Sequence, residues 1–308
     1  MELIGKNKSI KNQIQQALNN NFEENTDKRA YKQQEIQEVK VFSYNEKFRL
    51  LDTAKMLSNY IKENFPDVKQ IKDVNSNVIQ DFLNTKAQKC TQNTINTYSN
   101  SLNKIAALCN KNYSSCSLTW KQDVVIPNAI TQKSQLRGVA NQMPLADLNK
   151  ICDYARNNYS VSGQIILAQR ELGIRVNELT TIKAEQIDFK NNVLHLTNTK
   201  GGKRLDREIT PELKEIFKKS IQEKNITAGR IFPVTENAVN TYLRRTEARL
   251  GIKGAYSTHN IRSAIAQEKY DELRQYLSKD EAIKEVSLWL NHGQDRQKLL
   301  EKSYIEIW

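Results

Sequence analysis

The most informative stretch of this sequence is STHNIR, residues 257–262, where a histidine and an arginine stand three positions apart at the predicted start of a helix. Ser257 or Thr258 can cap that helix through its hydroxyl group. His259 and Arg262 should then share one helix face. A cation in the first turn opposes the helix dipole unless an anion binds there, and helix N-termini favour phosphate. Taken alone, the stretch still favours an ordinary surface helix, so the rest of the chain has to decide.

The composition indicates a basic protein with room for more than one domain. The chain has 308 residues, and 47 lysines and arginines against 35 acidic residues leave a net charge of +12. A chain of this length accommodates two hydrophobic cores. Because the excess of positive charge is shared by both halves, each half is a candidate to bind a polyanion, most simply nucleic acid. Charge alone does not distinguish DNA from RNA.

The cysteines and the apolar runs bear on metal binding and on the cellular compartment. Cys90, Cys109, Cys116 and Cys152 form no Cys-x-x-Cys pair, so a structural zinc site is not predicted and reduced thiols are expected. No apolar run approaches the roughly 18 residues that a membrane span requires, and no signal-peptide pattern opens the chain. We therefore expect a soluble, cytoplasmic protein with no membrane association.

Changes in periodicity divide the chain into four predicted segments. A polar N-terminal arm spans residues 1–40, with a short helix at 9–20, and a helical unit follows over residues 41–120. Residues 121–142 form a basic linker, and residues 143–308 form the second domain. The arm could contact DNA or a neighbouring subunit, and the linker could lie across a phosphate backbone. An arm of this composition is more often simply solvated, whereas for the linker a plain solvated chain is an equally good interpretation.

The predicted fold class is mostly α with a small antiparallel β-sheet in the C-terminal domain. In the N-terminal unit, apolar stripes mark helices from Phe48 to Ile61, from Val74 to Leu83 and from Thr91 to Leu108. The C-terminal domain alternates helical patterns with three short extended runs. Its predicted strands are 187–189, 193–197 and 207–209, and its last predicted helices are 236–250, 259–277, 279–290 and 297–308.

Five features of the C-terminal domain carry chemistry-bearing side chains, and each has an ordinary explanation on its own. An arginine with a glutamate three residues later is typical of a surface salt bridge, and a hairpin lysine is usually solvent-exposed. The helix dipole favours a histidine at the C-terminal end of a helix, and a tyrosine on an apolar stripe usually packs in the core. The residues are Arg175 with Glu178, Lys200, His259 with Arg262, His292 and Tyr304.

Taken in this order, the five features resemble the catalytic domain of the tyrosine recombinases, also called the phage integrase family. LGIRVNEL, residues 172–179, is similar to the family's first arginine motif, and TKGGK, residues 199–203, resembles its hairpin lysine. HNIR, residues 259–262, resembles the second arginine motif, and LNHG, residues 290–293, the third motif. Tyr304 is the only tyrosine after that motif.

The resemblance covers about residues 143–308, whereas residues 42–111 resemble the family's core-binding domain only in helical pattern. Ala266-Gln267-Glu268 together with Tyr270 is similar to a branch of integrases carried by phages, plasmids and other mobile elements. Two features depart from the family. Tyr304 follows His292 by twelve positions, a longer interval than usual, and only four residues follow Tyr304.

The resemblance implies a site-specific DNA recombinase with a helical core-binding domain and an α+β catalytic domain. It would cut and rejoin double-stranded DNA through a 3′-phosphotyrosine, as a homotetramer with a dimer on each recombination site, without metal, ATP or cofactor. No accessory protein is assigned. The implied roles are phosphate binding for Arg175, Arg262 and His292, proton acceptance for His259, attack for Tyr304, proton donation for Lys200 and support for Glu178.

Two other functions stay open at this point. A DNA-relaxing topoisomerase of the related type IB class would share the chemistry without strand exchange. A catalytically silent integrase could survive as a DNA-binding accessory protein. The His-x-x-Arg pattern and the tyrosine near the chain end favour the recombinase over the first, and the six filled catalytic positions argue against the second.

Overall fold

A computed structural model of the protein describes residues 9–24, 31, 38–130, 142–197, 199, 204–292 and 297–307. The chain divides into two compact units, residues 1–134 and 135–308. Several positions named in the sequence predictions lie outside the described residues, namely Lys200 with residues 201–203 of the same motif, residues 131–141 of the linker, Gly293 and residue 308. The division of the chain into arm, helical unit, linker and second domain stays a prediction.

The N-terminal unit is built from helices, three of which begin with a side-chain cap. Ser9 and Ser43 accept hydrogen bonds from first-turn amides, and Asn75 caps the next helix through its side chain. The apolar faces of these helices meet in one core that also includes Trp120 and Tyr113. The helices are α1 Ile10–Asn20, α2 Tyr44–Asn64, α3 Ser76–Ala87, α4 Gln92–Asn112 and the single turn α5 Trp120–Asp123.

Helix α1 is part of that core. Ile14, Ala17 and Leu18 are fully buried, and α1 packs against α2 and α4. The Gln13 side chain accepts a hydrogen bond from the Ile71 amide at 2.8 Å, and its carbonyl accepts one from Tyr113 Oη at 2.8 Å. The apolar stripe of α1 therefore finds a partner within the unit, and the packing of the described residues shows no boundary between α1 and the helices after residue 40.

One inward position of α2 was predicted wrongly. Phe48 is 59% exposed, while Leu50 is fully buried. The buried face of α2 begins at Leu50 and continues through Thr53, Ala54, Leu57 and Ile61. Phe48 lies off this face because it is two positions, about 200° of helix rotation, before Leu50.

The C-terminal unit combines helices with a three-stranded antiparallel sheet of order β1-β2-β3. Leu194 of β2 stands opposite Ile187 of β1 and Arg207 of β3. The predicted fold class is therefore confirmed. The strands are β1 Ile187–Asp188, β2 Val193–Leu196 and β3 Leu205–Glu208. The helices are α6 Leu145–Asn157, α7 Val161–Leu172, α8 Val176–Leu179, α9 Pro211–Glu223, α10 Glu236–Arg249, α11 Thr258–Leu273, α12 Lys279–Trp289 and α13 Gln297–Ser303.

Helix α7 is the centre of this unit. Its residues are buried from Gly163 to Gln169, and it contacts α6, α9, α10 and α11. A helix that is apolar all round is stable only when other elements surround it. A second, smaller core joins α11, α12 and the segment after α13 through Tyr270, Val286 and Ile305. No helix in the described parts of the chain has the length and apolar composition that a membrane crossing requires.

The last helix is shorter than predicted. The sequence pattern predicts a helix over residues 297–308, whereas α13 ends at Ser303. The amides of Tyr304 and Ile305 both donate to the carbonyl of Leu300, which closes the helix with a turn. Tyr304 and Ile305 are adjacent and both buried, so the chain leaves the helical path to place two successive side chains in the same core.

Candidate active site

The start of α11 is held by two asparagine side chains. The Ser257 amide donates to Asn260 Oδ1 at 2.8 Å, and the Thr258 amide donates to Asn240 Oδ1 of α10 at 3.0 Å. Ser257 is the N-cap, one of the two residues that the sequence analysis considered for this position. These contacts satisfy first-turn amides that have no helical partner. They fix the turn that carries His259 and Arg262.

Arg262 is a buried guanidinium group with unused hydrogen-bond donors. The side chain is only 1% exposed, and Nη2 donates to the carbonyl of Leu290. Within the described residues, Nε and Nη1 have no hydrogen-bond partner. Burial and the neighbouring charge of Arg175 lower the pKa of Arg262 to about 10, so the group stays charged at neutral pH. A buried charge with free donors is costly, and an anion would relieve that cost.

Arg175 lies at the start of the single-turn helix α8 and is held by Glu178. The Arg175 amide donates to Glu178 Oε2 at 2.9 Å, and Nη1 donates to Oε1 at 3.2 Å. Arg175 Nη2 lies 3.2 Å from His292 Nε2. Because a guanidinium group can only donate, His292 Nε2 must be the acceptor in this contact. Glu178 thus orients the arginine, and the arginine meets the histidine.

Tyr304 lies between two histidines and an arginine. Its ring centroid is 5.2 Å from that of His259 and 5.2 Å from that of His292, both edge to face. The Arg262 guanidinium carbon lies 5.7 Å from the Tyr304 ring centroid. The twelve-residue interval after His292 contains helix α13, and the tyrosine still reaches the cluster. Six of the seven predicted site residues therefore lie together, and the seventh, Lys200, is outside the described residues.

His259 reaches solvent at the edge of this cluster. The surrounding protein atoms and the charges of Arg262 and Arg175 lower the pKa of His259 below its ordinary value of 6.5. The imidazole is therefore neutral at pH 7 and has a nitrogen lone pair that can accept a proton.

Trp289 and Arg207 support the cluster, and the sequence analysis assigned neither a role. A Cβ atom at Gly173, where φ is +61°, would lie 2.2 Å from Trp289 Cη2, so glycine lets the indole pack beneath the loop before Arg175. The Trp289 carbonyl accepts a hydrogen bond from Arg207 Nη2. Burial lowers the pKa of Arg207. The signal that could have indicated a role for Arg207 is its place on the inward side of β3, opposite the buried Leu194.

Cys90, Cys109, Cys116 and Cys152 are free cysteines. Burial raises the pKa of Cys152 to about 11, which keeps its thiol protonated at neutral pH. Across the parts of the chain that the structure describes, no group of three or more His, Cys, Asp or Glu side chains is arranged to hold a metal ion.

Comparisons with known proteins agree with this geometry. Residues 141–272 match the family model described as the phage integrase family. A tyrosine recombinase, XerA of Saccharolobus solfataricus, is 30% identical over 88 residues, which span 29% of this chain and 30% of that relative. The C-terminal unit of this chain is therefore similar to the tyrosine recombinases, also called the phage integrase family.

Solved structures of that family share the fold over nearly the whole chain. XerH site-specific recombinase bound to its difH substrate aligns with a TM-score of 0.65 at 12% identity, covering 98% of this chain and 96% of that one. A lambda integrase dimer bound to a COC′ core site aligns with a TM-score of 0.61 at 15% identity, covering 91% and 77%. Lambda integrase bound as a tetramer to a Holliday junction aligns with a TM-score of 0.59 at 14% identity, covering 93% and 78%.

Proposed function

We propose that this chain is a site-specific DNA recombinase that cuts and rejoins double-stranded DNA through a 3′-phosphotyrosine intermediate. The observation that carries the proposal is a tyrosine packed against two histidines and a buried arginine that has unused donors. The match to the phage integrase family model and the similarity to a tyrosine recombinase support it. The guanidinium groups of Arg175 and Arg262 suit an anion, and a DNA phosphate is the anion that the basic chain would attract.

In the proposed reaction, Tyr304 Oη attacks the scissile phosphorus and the bond from phosphorus to the 5′-oxygen breaks. His259 accepts the tyrosine proton, for which its lowered pKa makes it available at neutral pH. Lys200 donates a proton to the leaving 5′-oxygen. The 3′-phosphotyrosine ester conserves the energy of the broken bond, so rejoining needs no ATP or other cofactor.

Arg175 and Arg262 would hold the non-bridging oxygens as negative charge develops on the phosphate. A guanidinium group is permanently charged and can grip two oxygens, which suits this role. In the free protein Arg175 Nη2 donates to His292 Nε2. If Arg175 Nη2 donates to a phosphate oxygen instead, its hydrogen bond to His292 Nε2 is lost. A ring N–H of His292 could then donate to the same phosphate. Glu178 would keep Arg175 in place throughout.

The partners we propose are a double-stranded DNA recombination site and further copies of this chain. XerH is bound to difH and lambda integrase to a core site, and lambda integrase also forms a tetramer on a Holliday junction. By analogy, this chain would act as a tetramer with a dimer on each site. Residues 41–120 would form the core-binding domain, 121–142 a basic linker and 143–308 the catalytic domain. A mobile genetic element is the proposed context.

A nicked suicide substrate tests the proposed function. Footprinting on DNA that flanks the gene would first locate the site, and a nick near the cleavage position then traps the covalent intermediate. We expect a protein–DNA band that resists detergent and disappears on proteolysis. Relaxation of supercoiled DNA without joining of two sites would indicate the topoisomerase instead. DNA binding with no covalent band would indicate an accessory protein.

The pH dependence of cleavage tests the role of His259. The rate of covalent complex formation should fall as the pH decreases through a pKa below 6.5, because protonation removes the acceptor lone pair. The rate should be flat around pH 7, where the ring is neutral. His259→Ala should lower the rate by about 10²-fold and remove the acid limb.

His195→Ala is the matched control for the pH experiment. His195 is an exposed histidine on β2 whose Nδ1 lies 2.9 Å from Asp206 Oδ1, and it is remote from Tyr304 in the contacts described. This variant should keep the acid limb and the rate at neutral pH. An acid limb that survives in His259→Ala would assign the proton acceptor elsewhere.

A further inference from the structure

The backbone after α13 is bound by side chains from elsewhere in the same unit. Gln267 of α11 accepts from the Glu306 amide at 2.5 Å and donates to the Glu306 carbonyl at 3.2 Å. Gln142 Nε2 donates to the Tyr304 carbonyl at 3.2 Å and to the Ser263 carbonyl of α11 at 2.8 Å. Ser263 Oγ lies 3.4 Å from the Ser303 carbonyl and 3.2 Å from the His259 carbonyl, and its single proton is shared between these two acceptors. Two glutamine side chains thus hold three backbone groups of the segment that carries the proposed nucleophile.

We infer that Gln267 and Gln142 are positioning residues that dock the Tyr304 segment into the active site of its own chain. The inference rests on the proposed function, because it concerns how the nucleophile is held. Neither glutamine touches the reacting atoms. Their role is to fix the backbone at the Tyr304 carbonyl and at Glu306, so that the Tyr304 ring stays beside His259, Arg262 and His292.

The local chemistry explains why side-chain amides serve here. The last carbonyls of a helix have no partner within the helix, and α13 ends one residue before Tyr304. A side-chain amide offers one acceptor and two donors, so a single glutamine can pair with the N–H and the C=O of one residue. Gln267 does this with Glu306. The pairing replaces the helical hydrogen bonds that this segment has given up.

Asp271 sets the orientation of the Gln267 amide. Gln267 Nε2 donates to Asp271 Oδ1 at 2.8 Å, and a carboxylate can only accept at neutral pH. The nitrogen must therefore face Asp271, which turns the oxygen toward the Glu306 amide. Asp271 follows Gln267 by one helical turn, so the orientation is built into α11 itself.

Helix α11 carries both halves of the proposed catalytic arrangement. Its first turn presents His259 and Arg262 to the phosphate side, and Ser263 and Gln267 hold the nucleophile segment on the following turns. A rigid helix keeps the distance between the two groups constant. Buried Tyr304 and Ile305 anchor the segment from the apolar side. The same helix therefore aligns the phosphate clamp with the attacking residue.

The test compares Gln267→Leu with the full-length wild-type chain on the nicked substrate. Leucine keeps most of the side-chain volume but makes none of the three hydrogen bonds. Because the Tyr304 segment loses the hydrogen bonds that hold it in place, covalent complex formation should slow by at least about tenfold. The DNA concentration for half-maximal rate should not change, because Gln267 contacts the chain's own backbone. Amide exchange of Glu306 should become faster.

Lys269→Ala is the matched control on the same helix. Lys269 pairs with Glu272 at 2.8 Å and does not contact the nucleophile segment in the contacts described. It should leave both the cleavage rate and the Glu306 exchange unchanged. If Gln267→Leu cleaves at the wild-type rate, the positioning role is rejected. The proposed function is still supported in that case, because the wild-type chain forms the covalent band. Failure of the wild-type chain to form any band would instead reject the proposed function.

Mixing two inactive variants tests docking within one chain. A tagged Arg262→Met chain keeps Tyr304, and a Tyr304→Phe chain keeps Arg262. If each tyrosine serves its own active site, the mixture should form no covalent DNA complex. A covalent complex on the tagged chain would mean that its tyrosine attacks in the partner's active site, and docking within one chain would then be rejected.

Discussion

Tyr304→Phe is expected to abolish the covalent protein–DNA band on a nicked substrate, because phenylalanine has no oxygen with which to form the phosphate ester. The fold should survive the change. Tyr304 is 4% exposed and packs in the small core with Leu300 and Ile305, and a phenylalanine ring fills the same space. DNA binding should therefore continue while cleavage stops, which separates this variant from a misfolded one.

Tyr276→Phe provides the comparison for that experiment. Tyr276 is 65% exposed and follows α11 in a turn, so its hydroxyl group is as accessible to DNA as any tyrosine in the C-terminal unit. This variant should form the covalent band at the wild-type rate. A band that persists in Tyr304→Phe and is lost in Tyr276→Phe would move the nucleophile to Tyr276. Peptide mapping of the DNA-linked residue would give the same answer independently.

Arg262→Met should lower the cleavage rate by about 10²-fold to 10³-fold, the size of effect seen when a donor to a developing oxyanion is removed. The same change should make the free protein more stable. Burial and the charge of Arg175 lower the pKa of Arg262 from its ordinary value to about 10, which corresponds to roughly 3 kcal/mol against the charged form. Methionine removes that cost but leaves the Leu290 carbonyl without its donor, a loss of about 1 kcal/mol. A gain of about 2 kcal/mol in the free energy of unfolding remains.

Thermal unfolding of the free protein measures the effect of this variant on stability separately from its effect on the cleavage rate. Arg262→Met should raise the Tm of the free protein, whereas Arg170→Met should lower it. Arg170 is the useful contrast because it pairs with Glu268 of α11, and its removal leaves a carboxylate without its partner. An Arg262→Met chain that is less stable than wild type would show that the guanidinium group is compensated in the free protein. In that case its unused donors would not explain phosphate binding.

The linear order of the motifs predicted the site cluster well, since each motif is short and its residues are fixed by local structure. His259 and Arg262 share the first turn of α11, and Glu178 holds Arg175 across three positions, so spacing alone brought these pairs together. The sheet and most helices were predicted because apolar periodicity is also a local signal. Lys200 lies outside the described residues, and its role stays a prediction.

Long-range contacts were the part that the sequence did not reveal. Gln267 reaches Glu306 across 39 positions, and Gln142 reaches Tyr304 across 162. Nothing in a local pattern pairs such distant residues. The predicted extension of α13 to residue 308 failed for the same reason, because the backbone after Ser303 bonds to other elements instead of continuing the helix. Phe48 was assigned inward since an apolar residue at helical spacing looks the same whether it packs or not.

The burial of α1 has a consequence for how the N-terminal unit can be shortened. A chain begun at residue 41 would remove Ile14, Ala17 and Leu18 and uncover the apolar sides of α2 and α4. Exposed apolar surface of that kind promotes self-association. The isolated fragment 41–134 should therefore aggregate on expression, whereas a fragment that retains α1 should remain monodisperse in size-exclusion chromatography.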